Sequence, residues 1–174
     1  MLNTRKTTGQ MPQDNPEIDI VLQAGDWPDE AEILDIVSNA IAATVDTAKL
    51  RFPNEAELSV VLSNDEQVQI LNKSWRKIDR PTNVLSFPVE DVAIGEMPGL
   101  LLGDIVLSIE TITKEAAEQG ISFNNHLSHL VIHGFLHIFG YDHIEDQEAE
   151  QMEALETACL GRLGIANPYA TAYS

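Results

Sequence analysis

His133-Gly134-Phe135-Leu136-His137-Ile138-Phe139-Gly140-Tyr141-Asp142-His143 is the stretch on which the reading of this chain turns. It closes a strongly apolar run, residues 122 to 139, that reads as a helix stopped by Gly140. His133 and His137 are four positions apart. On a helix that is about 400° of rotation and about 6 Å of rise, so both imidazoles leave one face, a turn apart. Gly140 permits a left-handed exit, and the chain can then fold back and bring His143 to the same point. Three neutral imidazoles with no fourth protein ligand describe an open metal site, its last position left to water. Zinc, one ion per chain, suits such a set best, and residue type alone also admits nickel, copper or iron.

The spacing H-x-x-x-H-x-x-G-x-x-H resembles the ligand frame of metzincin peptidases. Those enzymes place a glutamate directly after the first histidine as general base. Here that position is Gly134. A metallopeptidase is therefore one reading of the frame, but one without its proton acceptor. A non-catalytic factor with structural zinc is another, and three ligands speak against it, because structural zinc usually has four. Taken as one helix, His126, His129, His133 and His137 fall in a stripe about 80° wide. His126 lies about 10 Å along the axis from His133, too far to share its metal. His129 is one turn away and could support a ligand. For both, the preferred expectation is simply that the stripe faces a solvated cleft. Asp142 either orients a ligand through a hydrogen bond or caps the segment that follows. The acidic run Glu145, Asp146, Glu148, Glu150, Glu153 and Glu156, interleaved with Ala149, Met152 and Leu155, reads as the wet face of a helix.

Working outward from the histidines, residues 18–22 and 57–62 read as strands, as do 83–89 and 101–109. Helical spacing predicts helices over 28–49, with Asp26 as cap and Pro28 in the first turn, and over the residues that follow Asn64. Asn64 and Gln67 resemble a capping box, and Pro81 ends whatever helix remains. Further helices are expected over 111–119 and 146–163. The order β-α-β-α-β-β-α-α-α predicts an α+β fold. Its mixed four-stranded sheet is packed with helices, and a zincin-like metal helix lies in the C-terminal half. Residues 1–16, polar with Pro12 and Pro16, are expected to form a flexible tail, and residues 17–174 a single domain.

The chain of 174 residues carries 10 Lys+Arg against 28 Asp+Glu, a formal charge of −18. Taken alone, that balance argues against nucleic acid and acidic membranes as partners, because such binding is driven by cations meeting phosphates. Its distribution complicates the argument. Four of the 10 cations, Lys73, Arg76, Lys77 and Arg80, fall within eight positions. If helical, they span an arc of about 100°, with Val68, Leu71, Trp75 and Ile78 facing the other way. Such a concentration on a cation-starved chain favours contact with an anion over an ordinary solvated face. No apolar run approaches the roughly 20 residues of a membrane span, and no signal-like segment opens the chain. Cys159 is the single cysteine. A reducing cytoplasm and no membrane partner are the expectation.

The histidine stretch and the basic segment together resemble the YbeY family of rRNA maturation factors. His133 through His143 match that family's H-G-x-L-H-x-x-G-Y-D-H motif. Trp75-Arg76 with Asp79 to Phe87 matches its aromatic-Arg and D-x-P-T-x-V-L-S-F signature, and Leu102 to Ile105 its L-G-D-I strand. The resemblance implies a zinc-dependent, single-strand-specific endoribonuclease that matures the 3′ end of 16S rRNA and serves ribosome quality control. It implies His133, His137 and His143 as zinc ligands and Arg76 as a functional arginine facing the metal across a cleft. It also implies small-subunit rRNA, the small ribosomal subunit and an assembly GTPase as partners. His129, Asp142, Lys73, Lys77 and Arg80 are the residues expected to support the ligands or to touch RNA. On a −18 chain, attraction for phosphate must then be local, and non-specific RNA affinity weak.

Overall fold

The computed structural model describes residues 15–169. The flexible tail expected over residues 1–16 lies outside the described residues except for its last two. Four strands, β1 (Glu17–Leu22), β2 (Glu57–Ser63), β3 (Val84–Pro88) and β4 (Leu101–Ser108), form one sheet in the order β1-β2-β4-β3. β1, β2 and β4 run parallel, and β3 closes the edge antiparallel to β4. Five helices accompany the sheet: α1 (Glu30–Ala48), α2 (Asp65–Arg76), α3 (Ile109–Gln119), α4 (Phe123–Ile138) and α5 (Asp146–Arg162). Both the element order and the α+β class expected from the sequence are observed.

Strand alternation sorts the residues between two faces. Leu58, Val60, Leu62, Val84, Ile105 and Leu107 belong to the main core, together with residues of α1, α4 and α5. Leu85 and Val106 form a thinner core with Val68 of α2, flanked by Val61, Leu71 and Phe87. α4 and α2 therefore lie on opposite faces, with the edge strand β3 between them.

Three local details depart from the periodicity. α1 begins at Glu30 with Asp29 in the capping position, so neither Asp26 nor Pro28 starts it. Asn64 does cap α2, its side chain accepting from the Gln67 backbone N–H. The helix ends at Arg76, and Lys77 turns left-handed (φ 62°), its N–H donating to the Lys73 carbonyl while the Ile78 N–H donates to that of Asn72. The four cations thus do not line one helical face, because Arg80 lies beyond the helix. Trp75 keeps to the side of Val68 and Leu71 and meets Phe87, but at the end of the helix it is left 69% exposed. In β4, Gly103 adopts φ 144° opposite Pro88, where a Cβ would sit 2.4 Å from the Phe87 carbonyl oxygen. The pairing register of β2 against β4 shifts at this point, so Leu102 is an extra residue in the ladder.

Candidate metal centre

α4 is buried on most sides, and Ser122 caps it by accepting from the Asn125 backbone N–H. Its C-terminal end is built by Gly140 (φ 95°). The Gly140 N–H donates to the His137 carbonyl and the Tyr141 N–H to the Leu136 carbonyl, the paired bonds of a Schellman turn. A side chain at position 140 would drive a Cβ to 2.3 Å from the Val92 carbonyl oxygen, so the loop after β3 packs directly on the turn. The left-handed exit sends the chain back toward the helix. It places His143 beside His133 and His137, with ring centroids 5.4 and 5.1 Å away. One nitrogen from each of His133, His137 and His143 lies within 4.8 Å of the others.

The surroundings fix how two of these rings present themselves. His137 Nδ1 lies 2.9 Å from the Tyr141 carbonyl oxygen, an acceptor only, so Nδ1 carries the proton and Nε2 keeps its lone pair. His133 Nδ1 lies 2.6 Å from Glu156 Oε2 and is held in the same way. The two Nε2 atoms then face each other at 3.0 Å. Two lone pairs at that distance suit a shared cation. Burial, then the neighbouring His133 and His143, hold the His137 pKa down at about 4, so its Nε2 offers a lone pair at neutral pH. The C-terminal end of a helix also carries partial negative charge. The donor set therefore fits a divalent metal such as zinc.

Glu156 is the residue that the charge pattern missed. It is 1% exposed, and its Oε1 lies 2.7 Å from His129 Nε2 while also accepting from the Tyr169 hydroxyl. Burial pushes this carboxyl up, but the hydrogen bonds from His129 and His133 outweigh it and leave Glu156 at about 2. Burial, together with that same carboxylate, raises the Tyr169 phenol well above its ordinary value, so it remains a donor. Glu156 stands with Met152, Cys159 and Leu160 among the buried residues of α5. The spacing 152, 156, 159, 160 is a core stripe, and that stripe was the available signal. The expectation of a wet face for Glu156 is thus corrected, since its position in the stripe outweighs its charge.

The solvated-cleft expectation for the histidine stripe is also corrected. His126 is 3% exposed and lies 2.8 Å from Glu115, which also accepts from Asn83. His129 is joined to His133 through Glu156. Asp142 accepts from the His143 backbone N–H at 2.7 Å and so shapes the return of the chain. Arg76 is exposed at the end of α2 and touches none of the three histidines. Nearby, Lys73 lies 3.8 Å from Asp79, and Lys77 donates to the Ser74 carbonyl. The two regions connect through β3. Phe87 meets Trp75, and on the other face the Ser86 hydroxyl donates to the Gly134 carbonyl at 2.9 Å.

Gly134 itself faces the sheet. A Cβ there would meet Ser86 Oγ at 3.0 Å, Ile105 Cγ2 at 3.2 Å and Val84 Cγ2 at 3.4 Å. A peptidase-type glutamate has no room at this position, and Glu156, held by two histidines, is not free to act as a base. Gly134→Glu is expected to destabilise the protein by about 3 kcal/mol or more, through overpacking and a buried unpaired charge. A urea unfolding midpoint equal to that of the wild type would refute this account of the glycine.

The sequence profile described as Endoribonuclease YbeY matches residues 22–164. The chain belongs to the endoribonuclease YbeY family. Among curated members, it is 51% identical over 158 residues to Endoribonuclease YbeY of Sinorhizobium medicae (strain WSM419), covering 88% of this chain and 94% of that one. The Rhizobium meliloti (strain 1021) member is 49% identical over 159 residues, again covering 88% and 94%. The solution structure of TM1509 from Thermotoga maritima matches at TM-score 0.52 and 25% identity, covering 84% of this chain and 91% of that one. The family assignment and the three-histidine cluster thus rest on separate observations. Among the described residues, no helix is long and apolar enough to cross a membrane.

Proposed function

We propose that this protein is a zinc-dependent endoribonuclease that cleaves single-stranded RNA. In this reading it matures the 3′ end of 16S rRNA and serves ribosome quality control in the cytoplasm, with the small ribosomal subunit and an assembly GTPase as partners. The observation that carries the reading is the convergence of His133, His137 and His143 on one point, in a chain whose relatives are named endoribonucleases. Those three imidazoles would hold the ion and leave a coordination position open. Bound there, zinc supplies Lewis-acid polarisation at the scissile phosphate.

The chain's own residues do the rest. Glu156 and the Tyr141 carbonyl hold His133 and His137 in the tautomer that keeps Nε2 a lone-pair donor. Arg76 is the group assigned to the negative charge that develops on the phosphoryl oxygens, because its planar guanidinium can engage two of them at once. Lys73, Lys77 and Arg80 add local positive charge for RNA, and His129 and Asp142 act through the ligands.

Arg76→Ala is expected to lower kcat/KM for RNA cleavage by about 100- to 1,000-fold, with zinc content unchanged by elemental analysis. Cleavage by that variant at the wild-type rate would remove Arg76 from the mechanism.

A further inference from the structure

Among the described residues, Trp75 is the largest exposed apolar side chain, at 69%, whereas the other tryptophan, Trp27, is partly buried and donates its N–H to the Ser63 carbonyl. Water is a costly place for an indole, since each Å² of apolar surface left exposed forgoes about 25 cal/mol. Nor is the ring loose. Trp75 sits in the last turn of α2 and packs edge-to-face on Phe87 of β3, with centroids 5.9 Å apart and planes at 62°. Arg76 follows it directly, and its guanidinium has no carboxylate or hydrogen-bond partner among the described residues, on a chain with 28 acidic side chains. Lys73 and Lys77 flank the same turn. Asp79, 3.8 Å from Lys73, is the acidic group that faces the cluster.

A braced, exposed aromatic ring beside cations is the pairing that single-stranded nucleic acid uses. The bases stack on the ring and the phosphates meet the cations. Four cations within eight positions favour a polyanion as the occupant, and the exposed ring favours one with unpaired bases. We propose that Trp75 is a base-stacking platform. One unpaired nucleobase lies on the indole, with Lys73 and Lys77 beside it for the flanking phosphate, so that the RNA strand is gripped on the α2 side of β3 before it crosses that edge to the histidines. Among the described residues, no strand pairs with the outer edge of β3. The proposal rests on the RNA-cleaving function, and it assigns unpaired bases rather than duplex as what the site grips.

The test uses the full chain with a short single-stranded 2′-O-methyl RNA, which binds without being cleaved. In a Trp27→Phe background, indole emission should be quenched on titration. Trp75→Ala should weaken binding about 5- to 100-fold, and Trp75→Tyr should restore most of it. The same RNA made abasic, or annealed to its complement, should bind as weakly as the alanine variant. With cleavable RNA, Trp75→Ala should raise KM and leave kcat unchanged. Undetectable binding by the wild type, or equal binding by Trp75→Ala or by the abasic strand, would overturn the stacking role. If Trp75→Ala cleaved RNA with wild-type KM, the nuclease reading would stand and the ring would belong to a protein interface instead. If the wild type left RNA intact, the nuclease reading itself would fail.

Discussion

Glu156→Ala should lower the stability of the protein by about 3–5 kcal/mol and weaken its metal affinity by about 10- to 100-fold. Both effects have one cause. The Glu156 carboxylate is almost fully buried and pairs with His129 and His133 at once, while Tyr169 donates to it. Truncation leaves three partly buried polar groups facing a cavity and lets the His133 ring turn out of the orientation that presents Nε2. Urea unfolding reads the first effect, and competition with a zinc-sensitive chelator reads the second. Glu156→Gln keeps the volume and one acceptor oxygen, so it should fall between the two in both measurements. If Glu156→Ala bound zinc as tightly as the wild type, His133 would not depend on its carboxylate partner.

The same carboxylate gives metal-free protein a specific acid response. Its folded pKa of about 2 lies below the ordinary value of 4.5, so its contribution to stability is complete above pH 4.5. That contribution, on the order of 3 kcal/mol, is lost as the pH falls from 4.5 toward 2. Glu156→Gln has no carboxylate to protonate and should lose less stability over that window.

The second large effect is expected at His137. Replacing it by alanine removes one of three ligands. It also relieves the 3.0 Å approach of the two Nε2 atoms that suits a shared cation. Zinc recovered with His137→Ala after dialysis should fall to about a tenth of the wild-type content or less. The fold should survive, because His137 is only partly buried and its hydrogen bond is to a local backbone carbonyl. Unchanged zinc content would place the metal elsewhere.

The strands, the five helices and their order were readable because apolar spacing in this chain follows period and burial closely. The glycine exit that returns His143 was readable for a similar reason: a left-handed residue after a helix has few alternatives to glycine. Two kinds of information were not carried by pattern. The sign of a charged residue hid its burial at Glu156, where an acidic run suggested solvent although the 152, 156, 159, 160 spacing marked a core position. The length of α2 depended on a left-handed Lys77, a conformation that the sequence does not advertise in a residue with a Cβ. Arg80 consequently landed away from its expected face, and Trp75 was left exposed at the helix end. Gly134 was legible only as a missing base. Its packing against Ser86 and Ile105 shows that the position is also closed by sterics.

RNA cleavage by this protein is assigned to its three-histidine centre. The most direct test of that assignment sets wild type and His137→Ala, purified identically, against single-stranded RNA with metal content measured on the same samples. Cleavage by the wild type should be abolished by a chelator and restored by zinc, and the metal-depleted variant should show none. Equal cleavage by His137→Ala, or cleavage by the wild type that persists with its metal stripped, would contradict the assignment.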